Sequence, residues 1–177
     1  MEQKKLVQYF WQVTYAHTIA YTIAGVFAMT VMNYEELFVT VFANSFMRPT
    51  DEPIVFLGQS LQIFRGLLIA LFLLPLRKTF FEEKHGLIKL GIITIGLSYL
   101  STFGPGIGSF DGYIHLTIPF KYQLLGIPEL LLYVLFFIGI LHISQKYAHK
   151  KIITILSIII VALIIFMSIY GFMMAIK

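Results

Sequence analysis

The sequence predicts an all-α integral membrane protein: a compact bundle of about five transmembrane helices, N-terminus cytoplasmic and C-terminus outside. An outer interfacial helix and a glycine-rich outer loop able to re-enter the bilayer complete it. Three observations predict this class. Of the 177 residues, 58% are hydrophobic and 12% charged, and mean hydropathy is +0.84, whereas an ordinary soluble domain is about a quarter charged. So few charges cannot cover a water-soluble surface. Several apolar runs also approach the ~20 residues that a helix needs to cross a bilayer. Finally, the basic residues flank those runs unequally on the two sides, as topology signals do.

The runs define a single membrane domain over residues 1–177, with spans at about 11–32, 54–76, 86–103, 122–144 and 151–176. The first is too long for the apolar core of a cleaved leader and is expected to remain as a span. Its Thr14, His17, Thr18, Tyr21, Gly25 and Ala28 fall within roughly 100° of arc at 100° per residue. Such a stripe of small and hydroxyl residues is a helix-packing face, with His17 and Tyr21 as its polar centre. Next come Leu37, Phe38, Val41, Phe42 and Phe46 at rough helical spacing, behind Glu35 and Glu36. This reads as an amphipathic helix in the outer interface, or as a continuation of the first span into the headgroups.

On the second span Gly58, Gln59, Gln62, Arg65 and Gly66 share roughly 120° of arc. Arg65 lies twelve residues beyond Pro53, ~18 Å deep by helical rise, too deep for easy snorkelling. Burial in the bundle against a partner is therefore predicted. Glu129 on the fourth span, ~12 Å deep from the same surface, is the expected partner. Gly126, Glu129, Tyr133 and Phe136 share its face, and Pro128 is expected to loosen that helix. The third span is the shortest, and its Gly91, Thr94, Ser98, Ser101 and Thr102 suggest close packing. The fifth has no charge between Lys151 and Lys177 and is rich in isoleucine, so it should be the most lipid-exposed.

The second outer loop begins GPGIGS and reaches a turn signal at Asp111-Gly112. Beyond it Tyr113, His115 and Thr117 alternate with Ile114, Leu116 and Ile118, which is strand periodicity. Backbone of that kind is tolerated at a membrane only beside protein or water. The loop is expected to cover a cavity mouth with Asp111 and His115.

Orientation follows from charge. Lys4, Lys5, Arg77, Lys78, Lys84, Lys89, Lys146, Lys150 and Lys151 fall on one side, and only Arg48, Lys121 and Lys177 on the other. The richer side is cytoplasmic. Five spans then leave the C-terminus outside, in a multi-pass protein of the cell (inner) membrane.

Composition excludes some chemistry. Without cysteine there is no thiol catalysis, disulfide or cysteine-ligated metal. The net charge of +4 sits at span ends rather than in a patch, so it does not point to nucleic acid. The glycines at 104, 106, 108 and 112 do not form a dinucleotide fingerprint, and there is no HExxH or GxSxG. Haem held by His17 and His142 is one cofactor option, since both lie toward the inner side of their spans; it requires facing residues at matched depth.

The polar faces of spans one, two and four are expected to converge on an outward-opening cavity around Gln59, Gln62, Arg65, Glu129 and Tyr133. Arginine suits a carboxylate or phosphate, so the ligand class is anionic or amphipathic, lipid included. The wholly apolar inner half of the second span favours a one-sided pocket over a through-path. The functional reading is a binding or transport component, or a membrane subunit working with other subunits or copies of itself. The alternatives are a lipid-modifying enzyme using Asp111, His115 or Glu129 as acid and base, and a purely structural assembly subunit.

Overall fold

The computed structural model describes residues 2–33, 36, 48, 50–100 and 106–177, and no strand occurs among them. Five long helices dominate: α1 (Glu2–Val31), α2 (Pro53–Leu73), α3 (Gly86–Leu100), α6 (Gly126–Lys146) and α7 (Lys151–Ala175). Two short ones, α4 (Phe110–His115) and α5 (Phe120–Gln123), fill the connection between α3 and α6. The stretches Pro53–Leu76, Phe120–Lys146 and Lys151–Ala175 are long and apolar enough to cross a membrane, and Gly86–Leu100 is apolar but shorter. These helices mark a membrane protein. The predicted interfacial helix of the first outer loop, and Ser101, Thr102 and Gly104, lie outside the described residues.

The bundle is built around α1. From Gln8 to Gly25 none of its residues is exposed, although it is the least apolar of the five. Ala16, Ala20, Ala24 and Ala28 recur every fourth residue and are all at most 1% exposed. Small side chains at that spacing let neighbouring helices come close, which in lipid is a main source of packing energy. Contacts pair rising numbers on α1 with falling numbers on α2: Tyr9 with Ala70, Thr14 with Gly66, His17 with Gln62 and Thr22 with Gln59. Gln8, Gln12 and His17 pair likewise with Ala148, Ser144 and Tyr133 of α6. Both neighbours are therefore antiparallel to α1. Helix α7 packs on α2, where Ser168 Oγ accepts from the Ser60 amide and donates to the Phe56 carbonyl. It also receives the Trp11 indole N–H on Ser157. Helix α3 packs on α6, with Gly91 against Val134 and Ile138.

The turn between α2 and α3 shows how one proline organises an end of the bundle. Pro75 has no N–H to continue the helix, and the chain tightens into a 3₁₀ turn at Leu74–Leu76. The Leu74 amide then bonds to Leu71 O, not to the α-helical partner Ala70. The Ala70 carbonyl receives the Tyr9 hydroxyl instead, at 2.9 Å, with Arg77 5.3 Å above the Tyr9 ring. A π turn at Lys78–Glu82 and His85 at φ 62° return the chain. At Gly86 a Cβ would lie 2.5 Å from two carbonyl oxygens, so only glycine fits.

Two expectations are corrected here. The alternation from Tyr113 to Ile118 is not a strand: Phe110–His115 is helical. Ser109 is its N-cap, its hydroxyl accepting from the amides of Gly106 and Gly112 and donating to Gly106 O. That local cap satisfies orphan donors that an isolated strand would leave bare, and Asp111 lies in the first turn, where an acid is favourable. Pro128 does not loosen α6 either, because it stands in the helix's first turn, where a missing N–H costs nothing. Helix α7 presents a long exposed apolar face, with Ile152, Ile155, Leu163, Phe166 and Met173 each more than half exposed.

Helices α1 and α2 touch backbone to backbone at Gly66, where a Cβ would lie 2.8 Å from Thr14 Cα. Backbone cannot yield as a side chain can, so Gly66→Ala should lower stability by about 1–3 kcal/mol. Gly96, with nothing within 4 Å, is the matched control. There alanine should be neutral or stabilising by up to about 1 kcal/mol through helix propensity. Thermal unfolding of the two variants in detergent reads the difference.

Candidate functional site: a polar relay across three helices

The centre of the bundle holds a directed chain of hydrogen bonds. His17, 1% exposed, places Nδ1 2.8 Å from the Tyr133 hydroxyl on α6 and Nε2 3.1 Å from Gln62 Oε1 on α2. The Gln62 amide nitrogen donates to Gly58 O at 2.9 Å, which fixes its oxygen toward the histidine. A carbonyl oxygen only accepts, so His17 Nε2 carries the proton. In the neutral ring Nδ1 is then the acceptor, and Tyr133 donates to it. Every donor points the same way, from α6 through α1 into α2. Aromatic contacts hold the ring: Tyr133 meets it edge-on at 5.6 Å and stacks on Phe137 at 5.7 Å. Tyr21 lies 6.0 Å from it.

One turn farther along, Thr22 Oγ1 lies 3.2 Å from Gln59 Oε1 and 2.8 Å from Thr18 O. Gln59 Nε2 sits 3.4 Å from where a Cβ of Gly25 would be, so the glutamine's place depends on that glycine. Polar side chains of α1, α2 and α6 thus meet in two sets, Tyr133, His17 and Gln62 in one and Thr22 and Gln59 in the other.

Arg65 departs from expectation. It is exposed rather than buried in the bundle, and its guanidinium carbon lies 5.7 Å above the Tyr21 ring. The cause is the neighbouring Gly66 contact: where two backbones touch there is no room for an arginine between them. The side chain leaves at the edge of the interface and rests on the nearest aromatic face, a favourable cation–π placement. The ion pairs among the described residues are Arg48–Glu52, Arg77–Glu82 and Lys89–Glu83; an Arg65–Glu129 pair is not among them. Glu129 stands in the first turn of α6, half-buried, one turn before Tyr133.

Asp111 and His115 belong to α4, which packs on α3 and α5 with Tyr113 between Tyr99 and Phe120. Asp111 is half-buried and His115 exposed. Among the described residues no three His, Asp or Glu side chains come together in a metal-binding group. Both His17 ring nitrogens are engaged. His142 is exposed beside α3, lining an apolar groove with Ile88 and Leu135. It lies nine residues beyond Tyr133 on α6, ~13 Å deeper by helical rise, so the two histidines do not face each other at matched depth.

A second polar tier escaped the sequence reading. Tyr15 donates to Ser144 Oγ, which in turn donates to Ile140 O, and the Gln8 and Gln12 amides donate to Ala148 O and Ser144 O. The spacing of Gln8 and Gln12, one turn apart on α1, was the available signal. Comparison with protein-family models, with curated proteins and with solved structures finds no match for this chain.

If the relay runs as described, nitrogen NMR of labelled His17 should report a protonated Nε2 and a bare Nδ1. Tyr133→Phe should remove the donor to Nδ1 and lower stability by about 0.6–2 kcal/mol, the range for interhelical hydrogen bonds in membranes. In a double-mutant cycle with His17→Phe the two losses should be strongly non-additive; additive losses would separate the pair.

Proposed function

We propose that the protein is a five-span, multi-pass membrane protein of the cell (inner) membrane, N-terminus inside, that binds an anionic, amphipathic ligand at Arg65. Helices α1, α2, α3, α6 and α7 are the spans. In support, alternate neighbours run antiparallel, and basic residues favour the N-terminal side by nine to three. Helix α1 spans despite its modest hydropathy because its polar residues face protein and not lipid.

The observation that carries the ligand reading is Arg65 itself. A cation in the middle of a membrane helix costs at least ~2.5 kcal/mol. Here it stands exposed among Leu61, Phe64 and Leu68, each more than half exposed, with no ion pair among the described residues. A carboxylate or phosphate on an apolar tail matches that surroundings: the anion takes the guanidinium fork and the tail lies along the apolar side chains. Gln59, Gln62 and Tyr133 stiffen the wall behind it, while Glu129 and, farther out on α4, Asp111 and His115 mark the approach. The same exposed charge also suits a carboxylate on a neighbouring membrane subunit, which is the second reading.

Oleate is a suitable probe. It should raise the melting temperature of the purified protein, and Arg65→Met should abolish the rise while leaving the unliganded protein at least as stable. An equal rise in both proteins overturns the ligand site, and Arg65→Met releasing a co-purifying membrane protein favours the subunit reading. For topology, cysteines introduced at Lys84 and Lys150 should resist an impermeant thiol reagent in intact cells, while one at Asp111 should react.

A further inference from the structure

At the end of the bundle that carries the N-terminus, away from Arg65, α1, the last turn of α6 and the start of α7 enclose a cavity of about 400 Å³. That volume lies within the usual range of small-molecule sites. Its lining divides into two kinds. Lys4 and Lys150 bring two cations from elements far apart in sequence, and Val7, Trp11, Ile153 and Ile158 bring apolar surface.

Several other polar groups there are already engaged. The Trp11 indole N–H is held by Ser157 Oγ at 2.9 Å. The Gln8 and Gln12 amides are spent on the Ala148 and Ser144 carbonyls. Lys150 Nζ lies 4.8 Å above the Tyr147 ring. Neither Lys4 nor Lys150 belongs to an ion pair among the described residues. The cavity therefore offers positive charge at its rim, with no carboxylate paired to it among the described residues, and a hydrocarbon wall behind.

The apolar wall narrows the occupant. Ile158 is half exposed and Val7 70% exposed, and the wall continues into the isoleucine face of α7, which is suited to acyl chains. A free anion would satisfy the lysines and leave that wall bare; a phospholipid satisfies both. We infer that this cavity binds an anionic phospholipid of the leaflet facing the N-terminus, with the phosphate between Lys4 and Lys150 and an acyl chain along Val7, Trp11, Ile153 and Ile158. Basic pockets between spanning helices recognise anionic headgroups by this chemistry. The inference is independent of the Arg65 ligand and rests only on the bundle's membrane character.

Melting of the purified protein in detergent, with dioleoyl-phosphatidylglycerol, dioleoyl-phosphatidylcholine or inorganic phosphate added, tests it. Phosphatidylglycerol should raise the midpoint by about 5 °C near saturation, and neither phosphatidylcholine nor inorganic phosphate should match it. The double variant Lys4→Gln with Lys150→Gln should lose the rise, while Lys78→Gln with Lys84→Gln, which removes the same charge elsewhere, should keep it. Ile153→Trp fills the cavity without touching a charge and should lose the rise too. A full rise in the Lys4/Lys150 variant, or an unchanged rise in Ile153→Trp, overturns the site. Inorganic phosphate matching the lipid overturns the lipid assignment.

Discussion

The rest of the structure depends on keeping polar groups away from lipid. A hydroxyl or amide in hydrocarbon has no water to turn to, and an unmade hydrogen bond there costs several kcal/mol. Helix α1 carries most of these groups, and the fold answers by surrounding it. Thr14 and Thr18 bond back to carbonyls one turn earlier; His17, Tyr15, Gln8 and Gln12 reach α2 or α6. Helices α2 and α6 are thereby fixed in register against the same core, with α7 and α3 laid on their outer sides. Gly66 and the alanine stripe set the distances; the hydrogen bonds set the rotations.

Much of this was legible in the sequence because period and length are strong signals. The apolar runs anticipated the long helices, and the polar stripes on spans one, two and four named His17, Tyr21, Gln59, Gln62 and Tyr133 before any contact was known. The pairings were not legible. Which stripe meets which depends on helix rotation and depth, fixed by small residues such as Gly66 and Ala20 that carry no chemical signature. Arg65 was misjudged for the same reason. It was expected inside the bundle, but a glycine beside it closes the interface that should have held it. The alternation from Tyr113 to Ile118 misled because six residues are too few to outweigh one capping serine.

Charge is divided in this molecule by function of place. At the N-terminal end, lysines stand over a half-apolar cavity, where headgroups supply ready counter-charge. At mid-bundle Arg65 stands exposed over the Tyr21 ring, outside the ion pairs formed among the described residues. The first situation is cheap and common at a membrane surface; the second is costly, and that cost is what supports the ligand reading proposed for Arg65.

The burial of α1 also bears on how the chain is made. A segment enters the bilayer from the translocon according to its own hydropathy, and α1 is the helix least able to do so unaided. Its hydrogen-bond partner Gln62 is synthesised some forty-five residues after His17, and Tyr133 more than a hundred after it. Helix α1 is thus made before the partners that satisfy its polar groups. Until α6 is made, Tyr15 and Gln12 lack their Ser144 contacts. The polar centre of the bundle is therefore completed only once α6 has been made.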